Sequence, residues 1–486
     1  MINPLKVIKI SNNQETNLKG VENKNWILLA SVFSSFLVAF ATSSISVALP
    51  QISISLADIH GNLVSGVLQN WIAASFLLSI AIFSVPFGKL TGTFGLKKSF
   101  LLGIIVFTIF SILSSCSSSA EFLIILRFLQ GLGASIINIT TLAMVTEAFP
   151  PQKRGKGIGL NTAGIYIGLT LSPVIGGFLT HNFGWRTLFL SMIPFLILII
   201  LITLSKIPQE WSDRENEKFD YTGSFIYCLA ILLLIYGFTI LNETTGVILV
   251  TVAIILLIAF VKLELSHKTP IFNVKLFNNV VFTSSTIASL ISYLATFLVT
   301  YILTYYLQYV KGMDPQTTGL ILIATPIFMA ILAPFSGKLS DKIYPQVLSA
   351  IGMCFVTIAL IMLIFLNETT PVYFIIMAMV LQGIGYGLFS SPNANAIMGS
   401  VPRHLSSVAS ATITTMRVIG QTLSIGMLTV IFAFIMGSNP IVGHLPQLIQ
   451  SSTLALTISA GLCFISIIAS LVGIKSKLSR GQKSFH

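Results

Sequence analysis

Apolar residues gather along this chain in long runs, each ended by a short polar break or one bearing glycine or proline. The hydrocarbon core of a bilayer takes about 20 apolar residues per spanning helix. Runs of that order recur from Trp26 almost to the C-terminus, at 26–49, 69–87, 99–118, 121–146, 157–180, 186–205, 221–240, 246–263, 281–308, 316–335, 347–366, 372–391, 405–434 and 452–473. Fourteen helical spans are predicted. PPQKRGKG, from Pro150, and HNFGW, from His181, interrupt otherwise apolar sequence. The longest internal polar stretch, KIPQEWSDRENEKFD at 206–220, is too short to build a core of its own.

Composition points the same way. Apolar residues make up 54% of the chain and charged ones only 9%, where soluble domains carry roughly 25% charged. Lipid must be the solvent for most of the surface, so the chain reads as an all-α polytopic membrane protein. In a soluble chain a net charge of +12 would suggest a nucleic-acid partner. Its distribution gives another account, and no nucleic acid is expected. With the N-terminus inside, 23 of the 27 Lys and Arg fall in tails and connections on the inner side, the asymmetry of a cytoplasmic face. Arg186 and Lys311 fall outside, while Arg127 and Arg417 lie within spans. Both termini are therefore placed in the cytoplasm. The first apolar run is too long for a signal-peptide core and is kept as a span. Cys116, Cys228, Cys354 and Cys463 lack metal spacing and read as small packing residues, so no disulfide, metal or cofactor is implied.

The stretch GKLSDKIY at 337–344 crowds Lys338, Asp341 and Lys342 into one short connection, and it has a counterpart in GKLTGTFGLKK from Gly88. Gly88 matches Gly337, Lys89 matches Lys338 and Leu90 matches Leu339. Two spans after each copy stands a second pair, LQGLG at 129–133 and LQGIG at 381–385. The chain is thus two related six-span bundles, 26–205 and 281–473. Two spans, 221–263, are inserted between cytoplasmic linkers 206–220 and 264–280, and tails 1–25 and 474–486 flank the whole. Such repeats mark secondary transporters, whose halves rock about a central site. In so short a connection Gly permits close approach of helix ends. An Asp there is expected to meet the positive end of the following helix dipole.

On GKLSDKIY, RFLQGLGAS from Arg127, GLNTAGIYIGLTLSPVIGG from Gly159, FGWRTLF at 183–189, NVKLFNN at 273–279 and MRVIGQTLSIG from Met416, the chain resembles the major facilitator superfamily. Within it, the resemblance is to the fourteen-span drug/proton antiporters of the EmrB/QacA type, over roughly residues 26 to 473. It implies a monomeric plasma-membrane exporter of small amphipathic compounds, working by alternating access with inward proton flow. It also implies a gating network of Asp341, Lys342, Gly88 and Gly337, and a link between Arg127 and proton coupling. Gly159, Gly168, Pro173, Gly176 and Gly177 match the spacing of the fifth-helix motif of exporters, with Ser172 where Gly is usual. They are expected to make a tightly packed contact between the halves.

Two departures stand out. Gly92 occupies the position matching Asp341 in the first copy, and Ala41 stands where related exporters usually carry an Asp before the Pro that closes the first span. No Asp or Glu lies in the middle of any predicted span, which leaves Glu147 and Asp341, at span edges, as carriers of a coupled proton. Arg127 sits about 10 Å from the outer end of its span and Arg417 about 18 Å from the inner end of its own. An intramembrane Arg is costly and usually faces a protein interior or wet cavity, though Arg127 is also shallow enough to snorkel. Arg417 is the foremost candidate for contact with substrate. Tyr293 and Tyr301 could form an aromatic wall, with Tyr305, Tyr306 and Tyr309 in the interfacial belt. Asn138 and Asn393 could serve the cavity or bond between helices. A cavity holding Arg417 without a deep carboxylate suits neutral or anionic amphipaths better than cations. There is no phosphate-binding loop for ATP and no HExxH or clustered catalytic set, so no enzyme is expected. The alternative is a dedicated exporter of one endogenous metabolite or lipid precursor.

Overall fold

The computed structural model describes residues 23–56, 64, 66–211, 219–241, 243–267, 270–436 and 444–482. Nearly all of the expected N-terminal tail and residues 212–218 of the 206–220 linker lie outside the described residues. Among the described residues, fourteen helices are long and apolar enough to cross a membrane. They are α1 (Lys24–Ser55), α2 (Leu68–Phe94), α3 (Leu96–Ser115), α4 (Ala120–Ala148), α5 (Pro151–Phe183), α6 (Arg186–Lys206), α7 (Tyr221–Thr239), α8 (Thr244–Ser266), α9 (Val280–Val310), α10 (Gln316–Leu339), α11 (Pro345–Ile364), α12 (Val372–Gly399), α13 (Arg403–Met436) and α14 (Leu445–Ile474). The backbone of α14 stays helical as far as Gln482, into the expected C-terminal tail.

Several helices are less regular than hydropathy suggests, with local causes. The helix of α6 breaks between Leu190 and Ile193, just before Pro194, whose missing N–H and ring oppose continuation. Likewise α10 is interrupted between Leu322 and Ala324, ahead of Pro326. The last turn of α9, Tyr306–Val310, is a π-helix. Hydroxyls inside the spans bond back to their own helix: Ser111 to the Phe107 carbonyl at 2.7 Å and Thr140 to that of Ile136 at 2.7 Å. In lipid no polar group can rely on water.

The repeat is visible as geometry. A Cβ on Gly133 would lie 2.8 Å from the carbonyl oxygen of Gly103, and one on Gly385 would lie 2.5 Å from that of Gly352. In the same way Gly131 abuts the Phe76 carbonyl and Gly383 the Thr325 carbonyl, each at 2.5 Å. The α3–α4 and α11–α12 crossings are thus the same backbone-to-backbone contact built twice.

The inserted pair lies against the seam between the bundles. From α7 the Tyr227 hydroxyl donates to the Ala81 carbonyl of α2 at 3.2 Å, and Phe238 presses on Gly426 of α13. Packed on α7, α8 stacks Phe260 against Tyr227 with ring centroids 5.4 Å apart. Cys463 is buried as expected of a packing residue, but Cys116 and Cys354 are exposed.

Candidate functional site

The two bundles meet at the end where α1 begins, hereafter the basic end. The first N–H groups of any helix lack intrahelical acceptors. After a 3₁₀ turn at Pro151–Lys153, α5 becomes α-helical at Arg154, and the carboxylate of Asp341 accepts from the amides of Gly155 at 2.7 Å and Lys156 at 3.0 Å. Asp341 was expected to meet the helix that follows it, α11. Instead it caps a helix of the other half and so bolts the halves together. Burial pushes its carboxyl above the ordinary value, against the pull of the two amides and of nearby Arg154. Arg154 itself reaches across to α12, donating to the Asn395 side chain at 3.0 Å. Glu147 is nine-tenths buried and within electrostatic reach of Arg154. Lys342, expected in the gating network, is exposed at the rim.

Glycines allow this closure. A Cβ on Gly337 would run into the Gly155 carbonyl, and one on Gly159 would lie 2.5 Å from the Ala333 carbonyl. Gly168 and Gly176, however, pack on Phe36 and Ser44 of α1, while Gly177 only grazes Val47. The expected inter-half contact is therefore corrected. Of the motif's named glycines only Gly159 faces the other half, followed by Ala163 and Tyr166 packed with Ala333; Gly168 and Gly176, on either side of Pro173, belong to the α1–α5 contact. Ser172 is fully buried.

At the equivalent seam, α2 against α13, a Cβ on Gly88 would lie 2.5 Å from the Ala411 Cβ and one on Gly92 3.6 Å from the Ser407 hydroxyl. Ser407 is the second residue of the α-helix in α13. Gly92 thus stands at the N-terminus of α13 as Asp341 stands at that of α5, but brings no carboxylate.

Beyond the seal, four side chains reach one level. Counted at 1.5 Å per residue, Tyr166, Tyr293, Tyr386 and Arg417 all lie about 17–20 Å from the basic ends of their helices. The rings of Tyr293 and Tyr386 meet edge to face with centroids 5.7 Å apart. Arg417 lies within electrostatic reach of the Tyr166 and Tyr293 hydroxyls. It stays half-buried, and among the described residues no carboxylate pairs with it. The Tyr386 hydroxyl is buried without a hydrogen-bond partner. Tyr166 and Tyr386 go beyond the sequence expectations: the first sits within the exporter-like motif and the second just after LQGIG, both among glycines that dominate the pattern.

The other expected residues divide. Asn138 is half-buried, and its backbone carbonyl accepts from Ser410 of the other half at 3.5 Å. Asn393 is buried and donates to the Ser285 carbonyl at 3.1 Å, a bond between helices. Tyr301 is exposed near the far end of α9, beside Phe297. Tyr306 is no belt residue: it is buried and its hydroxyl donates to the Asn367 carbonyl at 2.5 Å. Arg127 does not snorkel. It is 0% exposed, donating to the Ile72 carbonyl at 3.3 Å, the Gln130 side chain at 2.7 Å and the carbonyl of Ala41 at 3.2 Å. Its guanidinium also lies over the Phe76 ring at 4.3 Å. Where an acid is usual, the backbone of Ala41 takes its place, and Arg127 ties α1, α2 and α4 into one closed knot.

Comparison with known proteins agrees with this architecture. The sequence profile of the Major Facilitator Superfamily matches residues 31–425. The riboflavin transporter RibZ of Clostridioides difficile (strain 630) is 29% identical over 447 residues, covering 92% of this chain and 96% of its own. The multidrug resistance protein Stp of Mycobacterium tuberculosis (strain CDC 1551 / Oshkosh) is 28% identical over 415 residues, covering 84% and 75%. Among solved structures, the human organic anion transporter MFSD10 superposes with a TM-score of 0.68 over 92% of this chain and 99% of its own, at 11% identity. Two six-helix bundles, a repeated glycine crossing, a polar ring at mid-span and a matching profile lead to one conclusion: the chain is a multi-pass membrane transporter belonging to the Major Facilitator Superfamily.

Proposed function

We propose that this transporter exports small amphipathic compounds from the cytoplasm by alternating access, in exchange for protons, as a fourteen-span antiporter of the EmrB/QacA type. The observation that carries the reading is the mid-span ring of Arg417, Tyr166, Tyr293 and Tyr386 behind a seal at the basic end. Aromatic faces and hydroxyls suit a flat amphipath. An Arg without an acidic partner suits a neutral or anionic one, because a cation would meet like charge. The basic end is assigned to the cytoplasm by its Lys and Arg, which supports the reading of a plasma-membrane protein with both termini inside. Asp341 is assigned the coupled proton, since burial in the closed latch favours its protonated form. Similarity to Stp supports the multidrug reading.

The test uses inside-out vesicles energised by a proton gradient, with candidate compounds added singly while a pH-sensitive dye reports proton release. Recovery of the dye signal with several unrelated compounds supports multidrug antiport. Silence across a broad panel, with folded protein present, overturns it. A second reading, one dedicated metabolite, is favoured by the similarity to RibZ across nearly the full length of both chains. It predicts recovery with a single compound class.

A further inference from the structure

The inserted hairpin holds two acids that the transport reading does not use. Asp220 precedes α7 and Glu264 lies near the end of α8; they are 4% and 2% exposed. Each spends one oxygen on a backbone amide: Asp220 Oδ1 accepts from Gly223 at 2.9 Å and Glu264 Oε2 from Phe272 at 2.9 Å. The other oxygen of each, Asp220 Oδ2 and Glu264 Oε1, is buried without a hydrogen-bond partner. Both point to one place. A Cβ on Gly223 would lie 2.6 Å from the first and 2.5 Å from the second, so the two oxygens lie within about 5 Å of each other.

Like charge and burial both disfavour double ionisation of a pair placed this way. A proton on one oxygen would also supply the hydrogen bond that both lack. The titratable groups facing Glu264 are Asp220 and His267, the latter with Nδ1 3.8 Å from Asp220 Oδ2. Lys268, next in the chain, lies outside the described residues. The His267 side chain is 40% exposed and stands at the mouth of the site.

We propose that Asp220 and Glu264 form a proton-binding site in the inserted hairpin, holding one proton between their facing oxygens at neutral pH and exchanging it with the basic-end solvent past His267. The site fastens the start of α7 to the end of α8 and to the connection at Phe272. Because α7 also grips α2 and α13, the state of the proton bears on the seam between the halves. The inference goes beyond the transport reading and stands without substrate or flux.

The test is a pH titration of the purified full-length protein by infrared difference spectroscopy in water and in deuterium oxide. A protonated-carboxyl band that persists at neutral pH and shifts in deuterium oxide is expected. It should survive in Asp341→Asn and vanish in the double variant Asp220→Asn with Glu264→Gln. Absence of the band in the unmodified protein, as when a His267 cation replaces the shared proton, overturns the proposal. So does its survival in the double variant, or its loss on adding sodium at constant pH, which would mark a metal-cation site. A second readout guards against misfolding of the double variant. Glu264→Gln alone can donate to Asp220 as the protonated acid does, so it should match the original protein's thermal stability at neutral pH and exceed it at alkaline pH. Destabilisation at neutral pH instead would mean an ionised Glu264 and sink the idea.

Discussion

Asp341 offers a test of whether charge or hydrogen-bond acceptance holds the basic end shut. Replacement by Ala leaves the Gly155 and Lys156 amides of α5 without their acceptor when the latch is closed. Loss of an N-terminal cap costs about 0.5–2 kcal/mol, and an unsatisfied buried donor about 1–3 kcal/mol. The site is only half-buried, so water recovers part of this, and a net loss of about 2 kcal/mol is expected, roughly a 30-fold shift from closed to open. Asn behaves differently. It keeps an acceptor oxygen and removes a charge that burial opposes, so Asp341→Asn should remain mostly closed. The pH dependence follows with a definite sign. The closed latch raises the carboxyl's pKa above its ordinary, open-state value, so the closed state binds more protons and is favoured as pH falls. Asn should abolish that dependence. The assay is a spin-label distance measurement between labels at Gln152 and Ile343, after removal of the exposed Cys116 and Cys354. Equal opening in the Ala and Asn variants would refute the argument and assign the hold to charge.

Other residues give sharper contrasts. Arg417→Ala should weaken binding of an anionic amphipath by about 10- to 100-fold, the worth of one hydrogen bond to a charged group, and change binding of a neutral analogue far less; tryptophan quenching on the purified protein would show it. Arg127→Lys cannot span the carbonyls of Ile72 and Ala41 and the Gln130 side chain at once. It should lower thermal stability by about 2–3 kcal/mol while leaving the pH dependence of transport in place. Gly159→Ala drives a methyl into the Ala333 carbonyl and should populate the open basic end, readable with the same spin labels. Glu147→Gln together with Asp341→Asn should abolish proton-driven flux if either carries the coupled proton; full flux in the pair would remove both from that role.

Much of the architecture can be read from the chain because lipid imposes a simple rule. A span must be apolar for about 20 residues, so hydropathy alone places all fourteen. The two LQG-Gly copies point to a repeat, and Gly133 and Gly385 turn out to be its backbone crossings. The partners of charged residues are not legible in this way. Asp341 bonds amides some 185 positions away, a contact created only when two bundles dock. Asp220 and Glu264 look like ordinary span-edge acids, because what buries them is the folding of α7, α8 and the Phe272 connection onto one another. Tyr166 and Tyr386 carry no spacing signal toward each other, since they meet through different halves. Arg127 could be read as shallow or buried from its depth, and only its three acceptors decide.

The unlike pair of Gly92 and Asp341 makes the two seams of the basic end fail in different ways. One seam, α5 with α10, is held by a polar bolt that yields abruptly when its acceptor is lost. The other, α2 with α13, packs closely at Gly88 and has no carboxylate at Gly92, and α7 lies across it from outside the twelve-helix scaffold. If the basic end opens as the proposed alternating access requires, this asymmetry predicts a swing and not a symmetrical parting, with the bolted side as the hinge until its cap is released. On the proposed export reading, a compound entering at the basic end would come in beside the inserted hairpin, making that hairpin a doorpost in addition to a brace.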